Sequence, residues 1–218
     1  MLQIREMTDD GSHTIHVPDL NEHYHSMNGA IQESVHVYLE AGFNQCRKQQ
    51  VSVLEFGFGT GLNVLLTFRE AQKRNVGVSY TALEKYPLPE ALTDRLNYGS
   101  KTQLPGIFKK IHDLAWDEPQ PVSPFFSLKK VRTDFFDYDF PDLYDVVYYD
   151  AFAPDKQPEV WSPALFGRIY ECMYPQGILT TYCAKGEVRR MLQRAGFTVA
   201  RLPGPPGKRE MLSARKER

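Results

Sequence analysis

Residues 51–63, Val-Ser-Val-Leu-Glu-Phe-Gly-Phe-Gly-Thr-Gly-Leu-Asn, constrain the fold of this chain more than any other stretch. A short apolar run with β-branched residues leads into glycines at three alternate positions, Gly57, Gly59 and Gly61. Leu62, Leu65, Leu66 and Phe68 then fall mostly on one helical face. That succession predicts strand, tight turn, helix. Glycines let a backbone approach a ligand where a Cβ would collide, and the helix beyond offers unpaired N–H groups. The spacing is G-x-G-x-G. It lacks the G-x-G-x-x-G of dinucleotide folds and the Lys-Ser/Thr pair of a phosphate loop.

The next apolar strand, Val76 to Leu83, ends in Glu84. This acid lies roughly 20 residues past the glycines, where α/β nucleoside folds set a carboxylate on ribose hydroxyls. Glu55 precedes the first glycine, and an acid there suits a cationic amino group better than a pyrophosphate. Together they fit a ligand with an amino-acid end, a ribose and no phosphate, such as S-adenosylmethionine. The plainer alternative is an ordinary glycine turn with Glu84 as a surface charge. Two further strands, Phe126 to Arg132 and Tyr144 to Tyr149, lead into Asp134 and Asp150. Ligands of such sheets sit at the carboxyl ends of the strands, so acids gathered there are candidate partners for a diol and an exocyclic amine. Phe152 adds an aromatic ring beside Asp150. Its plainer role is a core or lid aromatic, and that of Asp150 a turn cap.

The remaining pattern predicts an α/β fold, a mostly parallel sheet covered on both faces. Leu2–Met7 and Ser12–Val17 flank Asp10-Gly11 and read as a hairpin. Residues 19–29 read as a loop, and helical spacing runs from Ala30 to Phe43. Residues 1–45 thus form a hairpin-and-helix extension to a main domain at 46–218. His23-x-His25 offers a metal pair without a third ligand at helical spacing, so surface histidines are expected and no metal site. A helix starting at Pro87 or Pro89 uses Ala91, Leu92, Leu96 and Tyr98. Residues 100–125, broken by prolines, read as an excursion, with 107–116 helical. Pro158–Tyr174 reads as one helix, Ile178–Tyr182 as a strand, and Gly186–Ala195 as a helix. Phe197–Leu202 and Arg209–Ala214, joined by a short loop, should pair antiparallel.

Of the 218 residues 42% are hydrophobic and 24% charged, which excludes a disordered chain. No apolar run approaches the ~18 residues of a membrane span, and the N-terminus shows no signal-peptide pattern. Three scattered cysteines, Cys46, Cys172 and Cys183, argue against a disulfide framework and fit a reducing cytoplasm. The net charge is −1 but unevenly spread: residues 185–218 carry ten basic against three acidic side chains. That end is a candidate nucleic-acid face, with a solvated helix face and charged tail as the bland alternative.

Several blocks carry a resemblance. They are residues 54–63, Glu84-Lys85-Tyr86-Pro87-Leu88, Tyr149-Asp150-Ala151-Phe152-Ala153-Pro154, Pro158-Glu159-x-Trp161 and Lys208-Arg209-Glu210-Met211-Leu212. They resemble the methyltransferase domain of the MnmC family, which also occurs as the standalone MnmD, from about Asn21 to Ala214. The resemblance implies a Rossmann-like class I methyltransferase with an antiparallel last strand. It implies transfer of a methyl group from S-adenosylmethionine to the wobble uridine in the tRNA anticodon loop. There 5-aminomethyl-2-thiouridine would become 5-methylaminomethyl-2-thiouridine, without flavin or metal. In the fused form a flavin-dependent oxidase domain follows. This sequence ends at Arg218, so the aminomethyl group is expected to come from elsewhere.

On that footing Gly57, Gly59 and Gly61 admit the methionine end, with Glu55 near its amino group and Asn63 and Tyr24 alongside. Glu84 takes the ribose and Asp134 the adenine amine. Asp150 also borders the cofactor and orients the acceptor amine, and Phe152 stacks on the uracil. Arg189, Arg190, Arg194, Lys208 and Arg209 hold RNA phosphates. Two rival functions are an aminopropyltransferase or small-amine methyltransferase on the same fold, and a catalytically silent nucleic-acid-binding protein. A nicotinamide oxidoreductase is disfavoured by the glycine spacing.

Overall fold

The computed structural model describes residues 2–218; Met1 lies outside them. The chain opens on a hairpin, β1 (Ile4–Met7) and β2 (His13–Val17), turned by Thr8–Gly11. A two-residue strand β3 (Glu22–His23) adds to β2, with His16 opposite His23. The loop expected there thus contains a strand, too short to carry a period. The helix that follows is α1 (Ala30–Ser34), which widens into a π-helical segment over Val35–Glu40.

An eight-stranded sheet forms the body. Its strands are β4 (Gln50–Phe56), β5 (Gly77–Glu84), β6 (Gln120–Ser123), β7 (Phe126–Arg132), β8 (Tyr144–Tyr149), β9 (Met173–Thr181), β10 (Thr198–Pro203) and β11 (Glu210–Arg215). Their order is β10-β11-β9-β8-β4-β5-β7-β6. The inner five pair in parallel, and β6, β10 and β11 pair antiparallel at the edges. The expected mostly parallel sheet with an antiparallel end is therefore present. The edge strand β6 falls inside the supposed excursion. Pro121 hides it from propensity, but an edge strand tolerates a residue that cannot donate to the ladder.

Strand period divides the core in two. Val51, Val53, Val146 and Tyr148 pack on one face against α2 (Leu62–Arg74) and the π segment. Leu54, Phe56, Val147 and Tyr149 pack on the other against α6 (Pro163–Glu171) and α7 (Gly186–Arg194). The single helix expected over 158–174 is broken. Pro158–Val160 is a 3-10 turn, Ser162 is extended before Pro163, and its Oγ accepts the Leu165 N–H to restart the helix. The helix expected across 91–98 is likewise split into α3 (Glu90–Thr93) and α4 (Tyr98–Lys101). Between them Asn97 is drawn to the hairpin. Its side chain accepts the His13 N–H and donates to the Gly11 carbonyl, each at 2.9 Å. A short helix, α5 (Pro105–Asp113), completes this segment.

Candidate active site

The strand order reverses at β4. From there the chain runs through α2 to β5 and β7 on one side and returns to β8 on the other. Such a switch point leaves a crevice at the carboxyl ends of the strands. Here it is a cavity of about 870 Å³, at the upper end of the ~300–1,000 Å³ usual for ligand pockets. Its floor is the turn after β4, and the ends of β5 and β8 flank it. The strand tips are laced together. The Leu83 carbonyl accepts the N–H groups of Gly57 and Phe58 at 3.0 Å, and the Phe56 carbonyl accepts the Asp150 N–H at 3.0 Å.

The glycines are required by close approach. Gly57 has φ +93°, and a Cβ there would meet the Asp150 carbonyl oxygen at 2.8 Å. Gly59 has φ +49°, and its Cβ would press on the Tyr24 ring at 3.1 Å. Glu84 braces the turn from the next strand, with one carboxylate oxygen accepting the Gly59 N–H at 3.0 Å and the other the Tyr86 N–H at 2.8 Å. Burial raises its pKa.

Asp150 is held on two sides. Its Oδ1 accepts the Tyr38 hydroxyl at 2.5 Å and its Oδ2 accepts the Asn63 amide at 2.9 Å. Burial pushes its pKa up to about 7, and these two donors limit the rise. The loop beyond it is anchored as well. The Ala151 carbonyl accepts the Tyr182 hydroxyl at 2.8 Å, and the Phe152 carbonyl accepts the Trp161 ring N–H at 2.7 Å. Across the cavity the buried Glu33 accepts from Lys208 Nζ and from the Ser26 N–H, each at 2.7 Å. Lys208 also lies 4.1 Å over the Tyr182 ring. Tyr24 meets Phe152 edge-on, with ring centroids 5.1 Å apart.

The cavity therefore gathers Tyr24, Gly57, Gly59, Asn63, Glu84, Asp134, Asp150, Phe152 and Lys208. Asp134 sits at its rim, paired with Lys85 at 2.8 Å, and that ammonium holds its carboxyl below the usual range. Gly61 does not line the cavity; it caps the start of α2. Glu55 requires a correction. It is fully buried, off the cavity, and accepts the Asn63 amide at 2.9 Å. Glu55 and Asp150 share one sheet face, but Glu55 pairs with Tyr148, so Asp150 stands one side-chain step nearer the strand ends. Burial holds the Glu55 pKa well above the carboxylate range, favouring the neutral acid. Any influence on a ligand passes through Asn63.

Lys208 is a second correction. It lines the cavity and pairs with Glu33, so it does not belong with surface phosphate ligands. Arg189, Arg190 and Arg194 lie on α7 and Arg209 on the β10–β11 loop, all away from the cavity. His25 is no surface histidine. Its ring is buried against Thr60 Oγ1 at 2.7 Å, and burial pushes its pKa down to about 4, so it is neutral. Tyr38, Glu33 and Tyr182 were missed as site residues. Tyr38 and Tyr182 read as ordinary apolar positions, and no local signal separates a Glu33 turned inward from a solvated one.

The cavity fits S-adenosylmethionine on two observations. Asn63 Oδ1 is a buried acceptor without a protein partner among the described residues, as a cationic amino group would require. At Gly57 and Gly59 the turn presents backbone without side chains to the cavity wall.

Comparison with known proteins agrees. Residues 126–217 match the family described as S-adenosyl-L-methionine-dependent methyltransferase. Fold and switch-point cavity are those of a Rossmann-like class I methyltransferase, and the second half of the sheet carries the match to the S-adenosylmethionine-dependent family. Among curated proteins the chain is similar to the MnmC proteins. It is 28% identical, over 93% of its length, to the tRNA 5-methylaminomethyl-2-thiouridine biosynthesis bifunctional protein MnmC of Paraburkholderia phymatum. It is 32% identical, over 90% of its length, to that of Cupriavidus necator. The chain spans about a third of the length of these curated relatives, 33% and 32%. Its fold matches MnmC2 of Aquifex aeolicus with TM-score 0.79 at 24% identity, over 98% of this chain and 70% of that one. It also matches the spermidine synthase of Thermotoga maritima with TM-score 0.57 at 12% identity, over 99% and 72%. Among the described residues no helix is long and apolar enough to cross a membrane.

Proposed function

We propose that this protein methylates the aminomethyl group of 5-aminomethyl-2-thiouridine at the wobble position of tRNA, forming 5-methylaminomethyl-2-thiouridine. The observation that carries the reading is Asp150, a cavity carboxylate with its pKa raised to about 7, oriented by Tyr38 and Asn63. The name of the MnmC relatives, which specifies 5-methylaminomethyl-2-thiouridine biosynthesis, supports the choice of nucleoside.

When bound, S-adenosylmethionine supplies a methyl group activated by its sulfonium. Gly57 and Gly59 give the methionine end room, and Asn63 Oδ1 accepts from its amino group. Glu84 takes the ribose hydroxyls and Asp134 the adenine amine at the rim. An alkylammonium acceptor cannot attack until it loses a proton. Asp150, ionised near neutral pH, takes that proton at the oxygen not held by Tyr38 and leaves the nitrogen lone pair free. Phe152 stacks on the base and Tyr24 closes the cavity over the turn. Placing the two reactants is most of the catalytic work. Arg189, Arg190, Arg194 and Arg209 contact phosphates of the anticodon stem and loop. The reaction runs in the cytoplasm and draws on no flavin or catalytic metal.

The test is incubation with methyl-labelled S-adenosylmethionine and tRNA carrying the aminomethyl nucleoside, with free diamines in parallel. Label in 5-methylaminomethyl-2-thiouridine is expected. Label only in the diamines would replace this reading with small-amine methylation. No label in either, from protein that binds the cofactor, would refute amine methylation.

A further inference from the structure

The histidines of the N-terminal sheet form a cluster that the methyl-transfer site does not use. His16 and His23 face each other across β2 and β3, and their rings stack at 4.4 Å, tilted by 15°. Glu6 stands two residues from the position opposite His16 on β1, so strand period puts it on the same face. Its carboxylate lies 3.1 Å from His23 Nε2 and 3.5 Å from His16 Nδ1. All three donor atoms fall within 4.8 Å of one another, the single such grouping among the described residues. The side chains are 22–34% exposed, so an ion can reach them.

His23 Nε2 and Glu6 Oε2 are within hydrogen-bond distance, so an ion bound here would take the place of that bond. Ligands about 2.0–2.2 Å from a tetrahedral zinc ion lie roughly 3.3–3.5 Å from one another. Two imidazoles and one carboxylate are a donor set zinc takes with water in the fourth position, and the partly exposed rings would turn out of their stack to aim their nitrogens at one ion.

We propose that Glu6, His16 and His23 bind a zinc ion that staples β3 to the N-terminal hairpin. The site recruits His23 with His16 and Glu6, whereas His25, its neighbour in the pattern, turns into the core. The staple bears on the cavity. β3 has two residues and lies at the rim, and the next residue, Tyr24, covers Gly59. Securing His23 secures the backbone that delivers the Tyr24 ring. The proposal does not depend on which acceptor is methylated.

The test uses the full chain without a histidine tag, stripped by chelator and titrated with zinc chloride in a calorimeter. One equivalent is expected to bind. His16→Ala, His23→Ala and Glu6→Gln should each weaken zinc about tenfold or more, and His36→Ala should not. Hydrogen exchange of residues 20–24 should slow with zinc in the parent and not in His23→Ala. Should His23→Ala fail to fold, His16→Asn serves in both measurements. Cobalt in place of zinc should give the intense visible absorption of a tetrahedral site. The proposal is overturned if no zinc binds at micromolar concentration, or if His16→Ala and His23→Ala bind it as the parent does.

Discussion

Tyr38→Phe tests whether Asp150 is the base. The substitution deletes one oxygen, the hydroxyl that donates to Asp150 Oδ1 at 2.5 Å, and keeps the ring packed on Tyr148 with centroids 5.1 Å apart. That bond favours the ionised carboxylate, holding the pKa near 7 against the larger upward push of burial. A hydrogen bond to a charged group contributes about 1.5–3 kcal/mol, and one pKa unit is about 1.4 kcal/mol. Losing it raises Asp150 by about 1–2 units, at the lower end where water enters the gap. Only ionised Asp150 accepts a proton, so activity falls as pH drops through its pKa. The parent should show an acid limb in kcat/KM near pH 7, and Tyr38→Phe the same limb about one pH unit higher. Initial rates of labelled methyl transfer between pH 5.5 and 9.5, in this range by design, read the shift directly. Superimposed acid limbs, with unchanged cofactor affinity, would mean that Asp150 is not the titrating group.

Glu84→Gln loses the charge and one of two acceptors that meet the Gly59 and Tyr86 N–H groups, so S-adenosylmethionine affinity should fall about 10–100-fold by calorimetry, with kcat at saturation little changed. Gly59→Ala sets a Cβ 3.1 Å from the Tyr24 ring at φ +49°. Cofactor binding should weaken, and Tyr24→Ala in the same chain should restore part of it. Lys208→Met leaves Glu33 buried without its cation. Because Lys208 is itself 35% exposed, the cost should be about 1–2 kcal/mol by chemical denaturation, partly recovered by adding Glu33→Gln. For tRNA, alanine at Arg190, Arg194 or Arg209 should each lower the slope of log affinity against log salt by roughly 0.7–0.9, and Arg5→Ala, on the N-terminal hairpin, should not.

Much of the body is legible locally. Val51–Asn63 declares strand, turn and helix because an apolar run, glycines and a 3.6-residue period succeed one another in one window. Readings failed where a contact distant in sequence overruled local preference. Asn97 breaks a helix because the Gly11–His13 backbone claims its side chain. Pro121 sits in a strand because that strand is an edge. The helix expected from Pro158 restarts at Pro163, a break that Ser162 and Pro163 encode and that the apolar spacing conceals.

The sequence alone determined the α/β class, the glycine turn and the presence of acids at the strand ends, since each depends on neighbours along the chain. Which acid meets the cavity was decided in three dimensions. Glu55 and Asp150 look alike as strand-end carboxylates, and parallel register seals one under α2 while leaving the other a side-chain step further out. Tyr38 and Glu33, from one helix near the N-terminus, and Lys208, near the C-terminus, reach that wall together. Side-chain period says which way a residue faces; only strand order and helix docking say what it faces.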